Sequence, residues 1–128
     1  MSAEPVLDAS AVLAWVRSEP GADQVDTVLD GAVFSAVNAS ETAQKLIQHG
    51  ADGSWAISEL SELGVIVTPF TSDDALAAAE LWPYTRAAGL SLGDRSCLAL
   101  AQRRNSPVLT ADRAWQKIDV DVDIQLIR

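Results

Sequence analysis

A chain of 128 residues, 48% of them hydrophobic, can enclose one core and is too short for two, so residues 1–128 are read as a single domain. The lone Cys97 excludes an internal disulfide, and an opening MSAEPVLDASAVLAW without a basic leader or a long apolar run argues against secretion or membrane insertion, which makes the cytoplasm the expected compartment. The formal net charge of −9 argues against nucleic acid as a partner until its distribution is followed: residues 1–85 set 13 acids against Arg17 and Lys45, a balance of −11, whereas residues 86–117 set Arg86, Arg95, Arg103, Arg104, Arg113 and Lys117 against Asp94 and Asp112, a balance of +4.

Val6-Leu7 is a short apolar run closed by Asp8, and Ser10 to Val16 follows as a helix with Val12, Leu13, Trp15 and Val16 available for packing. Pro20-Gly21 breaks the chain, Ala22 to Leu29 reads as a second helix stopped by Gly31, and Ala32-Val33-Phe34 as a small strand. A helix from about Ala39 to His49 carries Ala39, Ala43, Leu46 and Ile47 at helical spacing. Glu41 lies opposite that stripe, one turn before Lys45, where a surface ion pair is expected. Ser54 to Leu63 is a further helix ended by Gly64. The β-branched run Val65-Ile66-Val67 then has the look of a buried strand.

Ser72-Asp73-Asp74 opens a helix through Leu81-Trp82 that Pro83 disturbs and that ends before Gly89. The next helix begins near Leu92 with Asp94 in its first turn, and Pro107 to Leu109 is an apolar strand leading into Thr110-Ala111-Asp112. Val120 to Ile127 alternates as a half-buried edge strand does. Strands alternating with helices predict an α/β fold in which a parallel sheet is covered on both faces, and in such sheets ligands bind beyond the carboxyl ends of the strands. Asp8 and Asp112 both fall on that rim.

Each acid has a plain alternative. Asp8 and Asp112 can cap the helical turns that follow them, and Asn38 with Glu41, like Ser91 with Asp94, has the spacing of a capping box. Asp94 differs in its neighbours, since Cys97, Leu98 and Ala101 lie one and two turns on. That places its side chain on the inward face, where an unpaired carboxylate is costly. Several carboxylates on one rim repel one another unless a divalent metal neutralises them, and hard oxygen ligands point to Mg²⁺ or Mn²⁺ rather than zinc, because one His and one Cys offer no zinc spacing.

VLDASAVLAW, NASETAQKL, GLSLGDRSCLALA and VLTADRAW resemble, in order and spacing, the four acidic motifs of PIN-domain ribonucleases, in particular the VapC-type toxins of bacterial toxin–antitoxin pairs. The resemblance spans most of the chain, and none of the four acids is replaced. It implies a PIN-like three-layer domain with a central, mostly parallel sheet flanked by helices. Asp8, Glu41, Asp94 and Asp112 would form the catalytic site, with Ser10 and Thr110 as hydroxyl neighbours. Asp8, Asp94 and Asp112 would ligate Mg²⁺ or Mn²⁺, and Glu41 would orient or deprotonate the attacking water; in this light the face of its helix opposite the core stripe looks into the cleft.

The implied activity is hydrolysis of RNA to 5′-phosphate and 3′-hydroxyl ends. The implied partners are a cognate VapB-like antitoxin, bound in an apolar groove that an exposed Trp of the first helices would mark, and a second copy of the chain in a homodimer. Arg86, Arg95 and Arg113 are the expected RNA contacts, Arg103-Arg104 lie at the far end of their helix, and most of Trp15, Trp55, Trp82 and Trp115 are expected in the core. Three alternatives stand: a stand-alone RNA-processing nuclease, a catalytically silent PIN-like binding module, and a phosphoacceptor receiver domain. The receiver fits poorly, because the first strand ends in Asp8-Ala9 rather than an acidic pair and Val65-Ile66-Val67 runs into Thr68-Pro69.

Overall fold

A two-residue strand sets the frame. Val6–Leu7 (β1) is wholly buried and pairs on both sides, Val6 opposite Val33 and Val108, Leu7 opposite Phe34 and Leu109. In the computed structural model, which describes residues 4–128, β1 is the middle strand of a five-stranded sheet of order β3-β2-β1-β4-β5. The others are Val33–Ser35 (β2), Ile66–Thr68 (β3), Val108–Thr110 (β4) and Ile124–Leu126 (β5), and every pairing is parallel. Parallel neighbours need crossovers, and these supply the helices Ala9–Val16 (α1), Ala22–Asp26 (α2), Ala36–Gln48 (α3), Gly53–Glu62 (α4), Ser72–Glu80 (α5), Trp82–Thr85 (α6) and Leu92–Arg104 (α7).

The two-residue period of the strands divides the core. Leu7, Phe34 and Leu109 pack on one face with Val12 of α1, Val25 of α2 and Leu60 of α4, whereas Val6, Val33 and Val108 pack on the other with Ala78 of α5 and Leu98 of α7. Each such side chain stabilises the fold by about 1.5–3 kcal/mol when fully buried. Phe34→Ala, emptying the centre of the first face, costs about 3–5 kcal/mol. The α5–α7 side is also tied by Asp74, which completes a capping box with Thr71 and accepts from Arg103 Nε at 3.0 Å.

Several elements differ from the sequence reading. The Val65 to Val67 run forms an edge strand shifted by one residue, paired only with β2, and Ile66 is 55% exposed; β-branching marks a strand but not its place in the sheet. The helix expected from Ala39 begins at Ala36, because Ser35, the last residue of β2, caps it by accepting from Val37 N at 3.2 Å. Asn38 is therefore inside α3, not at its cap. Helix α2 stops at Asp26, well short of Leu29. Helix α5 opens at Ser72 as read, capped by Thr71, but ends at Glu80 rather than running through Trp82, and Pro83 sits in the first turn of a separate α6, at a position that needs no N–H. Strand β5 is an edge strand as expected but spans only Ile124–Leu126. Of the four indoles, only Trp115 is fully buried; Trp15 is half-buried, and Trp55 and Trp82 are exposed.

Candidate active site

Asp8 leaves the carboxyl end of β1 at the centre of the sheet in an extended conformation that both ends the strand and caps α1. Its Oδ1 accepts from Ala11 N at 2.8 Å and from Ser10 Oγ at 2.7 Å, and its Oδ2 accepts from Thr110 Oγ1 at 2.6 Å. Ser10 Oγ in turn accepts from Ala111 N at 2.9 Å, and Thr110 Oγ1 from Asp112 N at 3.0 Å. These bonds lock the end of β4 to the start of α1. Burial pushes the Asp8 carboxyl up to about 6 although the hydroxyl and amide donors pull the other way, and the negative charge of Asp94 adds to the rise.

Asp94 sits in the first turn of α7 and forms a complete capping box with Ser91: Ser91 N donates to Asp94 Oδ2 at 2.9 Å and Asp94 N donates to Ser91 Oγ at 3.2 Å. The structure shows a true cap that is only half-buried, and the cap engages Oδ2 alone. A cap and a cleft-facing acid are here one residue. Below it lies Cys97, fully buried, whose thiol is pushed well up by burial and by the negative charges of Asp8, Asp94 and Glu41. All three carboxylates are thus near enough to disfavour the thiolate.

Glu41 is half-buried and makes no ion pair with Lys45 among the described residues, so the surface pair expected from helical spacing is absent. It turns instead toward α7. Asn38 Nδ2 donates to Glu41 Oε1 at 2.8 Å and to the Gly93 carbonyl at 3.0 Å, and the Glu41 carboxylate lies so close over Gly93 that an added methyl there would overlap it. Asp112 is exposed and caps the 3₁₀ turn Arg113–Lys117 by accepting from Ala114 N at 2.9 Å. Among the described residues no three His, Cys, Asp or Glu side chains converge closely enough to enclose a metal ion.

The donor set nevertheless has the chemistry of a hard-cation site. Its members are carboxylate and hydroxyl oxygens, and the two ion pairs among the described residues, Arg103–Asp74 and Arg128–Glu19, include none of the four acids. Of the expected RNA contacts, Arg86 and Arg113 are exposed, and Arg86 lies over the Trp82 ring at 4.8 Å. Arg95 is half-buried and donates through one terminal nitrogen to the Ala78 carbonyl of α5 at 3.0 Å. Asn38 and Gly93 were missed as site neighbours. Gly93 carried a signal, since a glycine inside a helical pattern calls for a packing reason.

A parallel α/β sheet whose central strand delivers a buried acid to its carboxyl edge, facing a second acid at a helix start, defines a small acidic-site domain. The family model described as PIN domain matches residues 6–121, and the chain belongs to that family. This sets aside the receiver reading. No curated protein sequence matches the chain. Among solved structures, a toxin–antitoxin complex from Klebsiella pneumoniae is similar at a TM-score of 0.75 and 14% identity, covering 97% of this chain and 98% of the other. VapC20 of Mycobacterium tuberculosis, described as a sarcin-ricin loop cleaving toxin, has a TM-score of 0.70 at 15% identity over 92% and 98% of the two chains. DNA-bound VapBC from Salmonella typhimurium has 0.71 at 11% over 98% and 99%. No helix among the described residues is long and apolar enough to cross a membrane.

Proposed function

We propose that this chain is a divalent-metal-dependent endoribonuclease acting as the toxin of a toxin–antitoxin pair. The observation that carries the proposal is buried Asp8, held by Ser10, Thr110 and Ala11 N at the carboxyl edge of the central strand, together with Glu41 lying over Gly93 beside Asp94, none of the three in an ion pair among the described residues. Asp8 and Asp94 would hold a Mg²⁺ or Mn²⁺ ion, with Asp112, exposed and bound only as a cap, completing the set. When bound, the ion lowers the pKa of the attacking water and neutralises charge developing on the phosphate.

The chain's own groups supply the rest. Thr110, Ser10 and the Ala11 N–H hold the Asp8 carboxylate in one orientation, and Glu41 orients the water and accepts its proton. Arg86 and Arg113 supply positive charge for the RNA backbone, while Arg95 is committed to α5. Membership of the PIN domain family and the likeness to structures described as toxins with their antitoxins support the toxin role. For the antitoxin we assign an apolar groove of about 300 Å³ between α1 and α4, lined by Trp15, Val16, Trp55, Ala56 and Glu59.

The test is cleavage of a mixed cellular RNA by the purified chain, with Mg²⁺ or Mn²⁺ and with chelator. Cleavage by the wild type that disappears with chelator, with Asp8→Ala and with Asp94→Ala is expected. Cleavage that survives both substitutions would overturn the acidic site. Growth arrest on expression, relieved by a small DNA-binding protein encoded alongside, favours the toxin; its absence favours a processing nuclease.

A further inference from the structure

Asn38 is 1% exposed in α3, an unusual degree of burial for a carboxamide. Both hydrogens of its amide are used: one on Glu41 Oε1 at 2.8 Å, the other on the Gly93 carbonyl at 3.0 Å. The two neighbours are acceptors, so only the NH₂ end can face them, and the orientation of the amide follows from chemistry. The opposite end, Oδ1, is buried and has no partner among the described residues. A buried acceptor without a partner costs about 1–3 kcal/mol. The side chain is therefore aimed by its donors alone, and its two bonds join α3 to the first turn of α7, one residue before Asp94.

We infer that Asn38 is a positioning residue, whose amide clamps the Glu41 carboxylate over Gly93 and so fixes the second acid of the cleft relative to Asp94. The inference rests on the nuclease reading for its consequence but not for its geometry. Without the clamp, Glu41 is an ordinary helix-surface glutamate with several rotamers. With it, one carboxylate oxygen is held by an NH₂ group and the headgroup is confined against the one residue of α7 that has no Cβ. Hydrogen-bonding partners of this kind behind a reacting or metal-binding group typically govern activity 10–100-fold.

The experiment combines a mutant cycle with a direct view of the carboxylate. Asn38→Ala, Glu41→Ala and the double variant are compared in RNA cleavage with Mg²⁺, each with its melting temperature, and crystal structures of wild type and Asn38→Ala locate the Glu41 headgroup. Expected are a loss of kcat of about 10–100-fold in Asn38→Ala with KM little changed, a double variant no slower than Glu41→Ala, and a Glu41 carboxylate that leaves Gly93 when the amide is gone. Losses that multiply independently, or a carboxylate that stays over Gly93 in Asn38→Ala, would overturn the inference. If Asn38→Ala does not fold, Asn38→Ser, smaller but still polar, carries the same two readouts. A wild type that cleaves no RNA defeats the nuclease reading alone, since the crystallographic comparison still decides the clamp.

Discussion

Asp8 and Thr110, 102 residues apart in the chain, are joined by a 2.6 Å hydrogen bond from the threonine hydroxyl to a carboxylate that is only 3% exposed. Thr110→Val keeps the shape and removes the donor. A hydrogen bond to a charged group is worth about 1.5–3 kcal/mol, so the Asp8 carboxyl titrates higher still, by roughly 1–2 pH units. The acid limb of metal-dependent cleavage should move to higher pH, since protons then compete better for the same carboxylate. A pH–rate profile identical to wild type would show that this bond does not tune the site.

Removing the Asp8 charge should stabilise the metal-free protein while abolishing cleavage. The folded-state pKa is raised from 3.8 to about 6, so the native state binds the proton more tightly than the unfolded chain. Stability from this group is therefore greatest below pH 3.8 and declines as pH rises to about 6. The decline is on the order of 2–3 kcal/mol. Asp8→Asn should melt higher than wild type at pH 7.5 in chelator, and the difference should shrink by pH 5. Added Mn²⁺ should raise the melting temperature of wild type at pH 7.5 more than at pH 5, and that of Asp8→Asn at neither. A lower melting temperature for metal-free Asp8→Asn would contradict the cost assigned to the buried charge.

Gly93→Ala sets two effects of opposite sign against each other. Alanine is the better helix former, though at this first-turn position by less than the ~1 kcal/mol of a helix interior, yet its methyl overlaps the Glu41 carboxylate. Half-buried Glu41 can swing outward, so the variant should fold with a melting temperature near that of wild type and lose at least about tenfold in cleavage. Full activity with Glu41 displaced in a crystal structure would remove Glu41 from the reaction.

The exposed cations should act through phosphate charge and the engaged one through packing. Arg86→Ala and Arg113→Ala should each weaken binding of a non-cleavable RNA and lower the salt slope by about 1. Arg95→Ala, which loses the bond to Ala78, should lower the melting temperature and leave the salt slope as it was. Equal salt slopes in all three variants and wild type would separate the basic stretch from RNA binding.

The order of strands and helices was legible because apolar runs, glycines and caps punctuate the chain, and Asp8 was legible as a rim residue because it follows a strand. What periodicity could not convey was partnership. The Val65 to Val67 run looks the same in the middle of a sheet as at its edge, and Glu41 opposite an apolar stripe looks the same facing solvent as facing another helix. Asn38 was read as a cap because its spacing to Glu41 fits one, whereas Ser35 ends the strand and takes that role. Asp94 was legible as a cap, and the cap engages only Oδ2 of its carboxylate, so capping does not compete with the proposed site role.

The direct passage from Ser35 of β2 into Ala36 of α3 leaves no slack between the sheet and the helix that carries Asn38 and Glu41. Each residue advances a helix by about 100° of rotation. One residue inserted after Ser35 would turn Glu41 out of the cleft while strand, helix and core stripe each survived in isolation, so length changes here should be far less tolerated than at the exposed turn Gly50–Asp52. The fold thus keeps its timing at this junction, where residue count rather than residue type sets the direction in which an acid points.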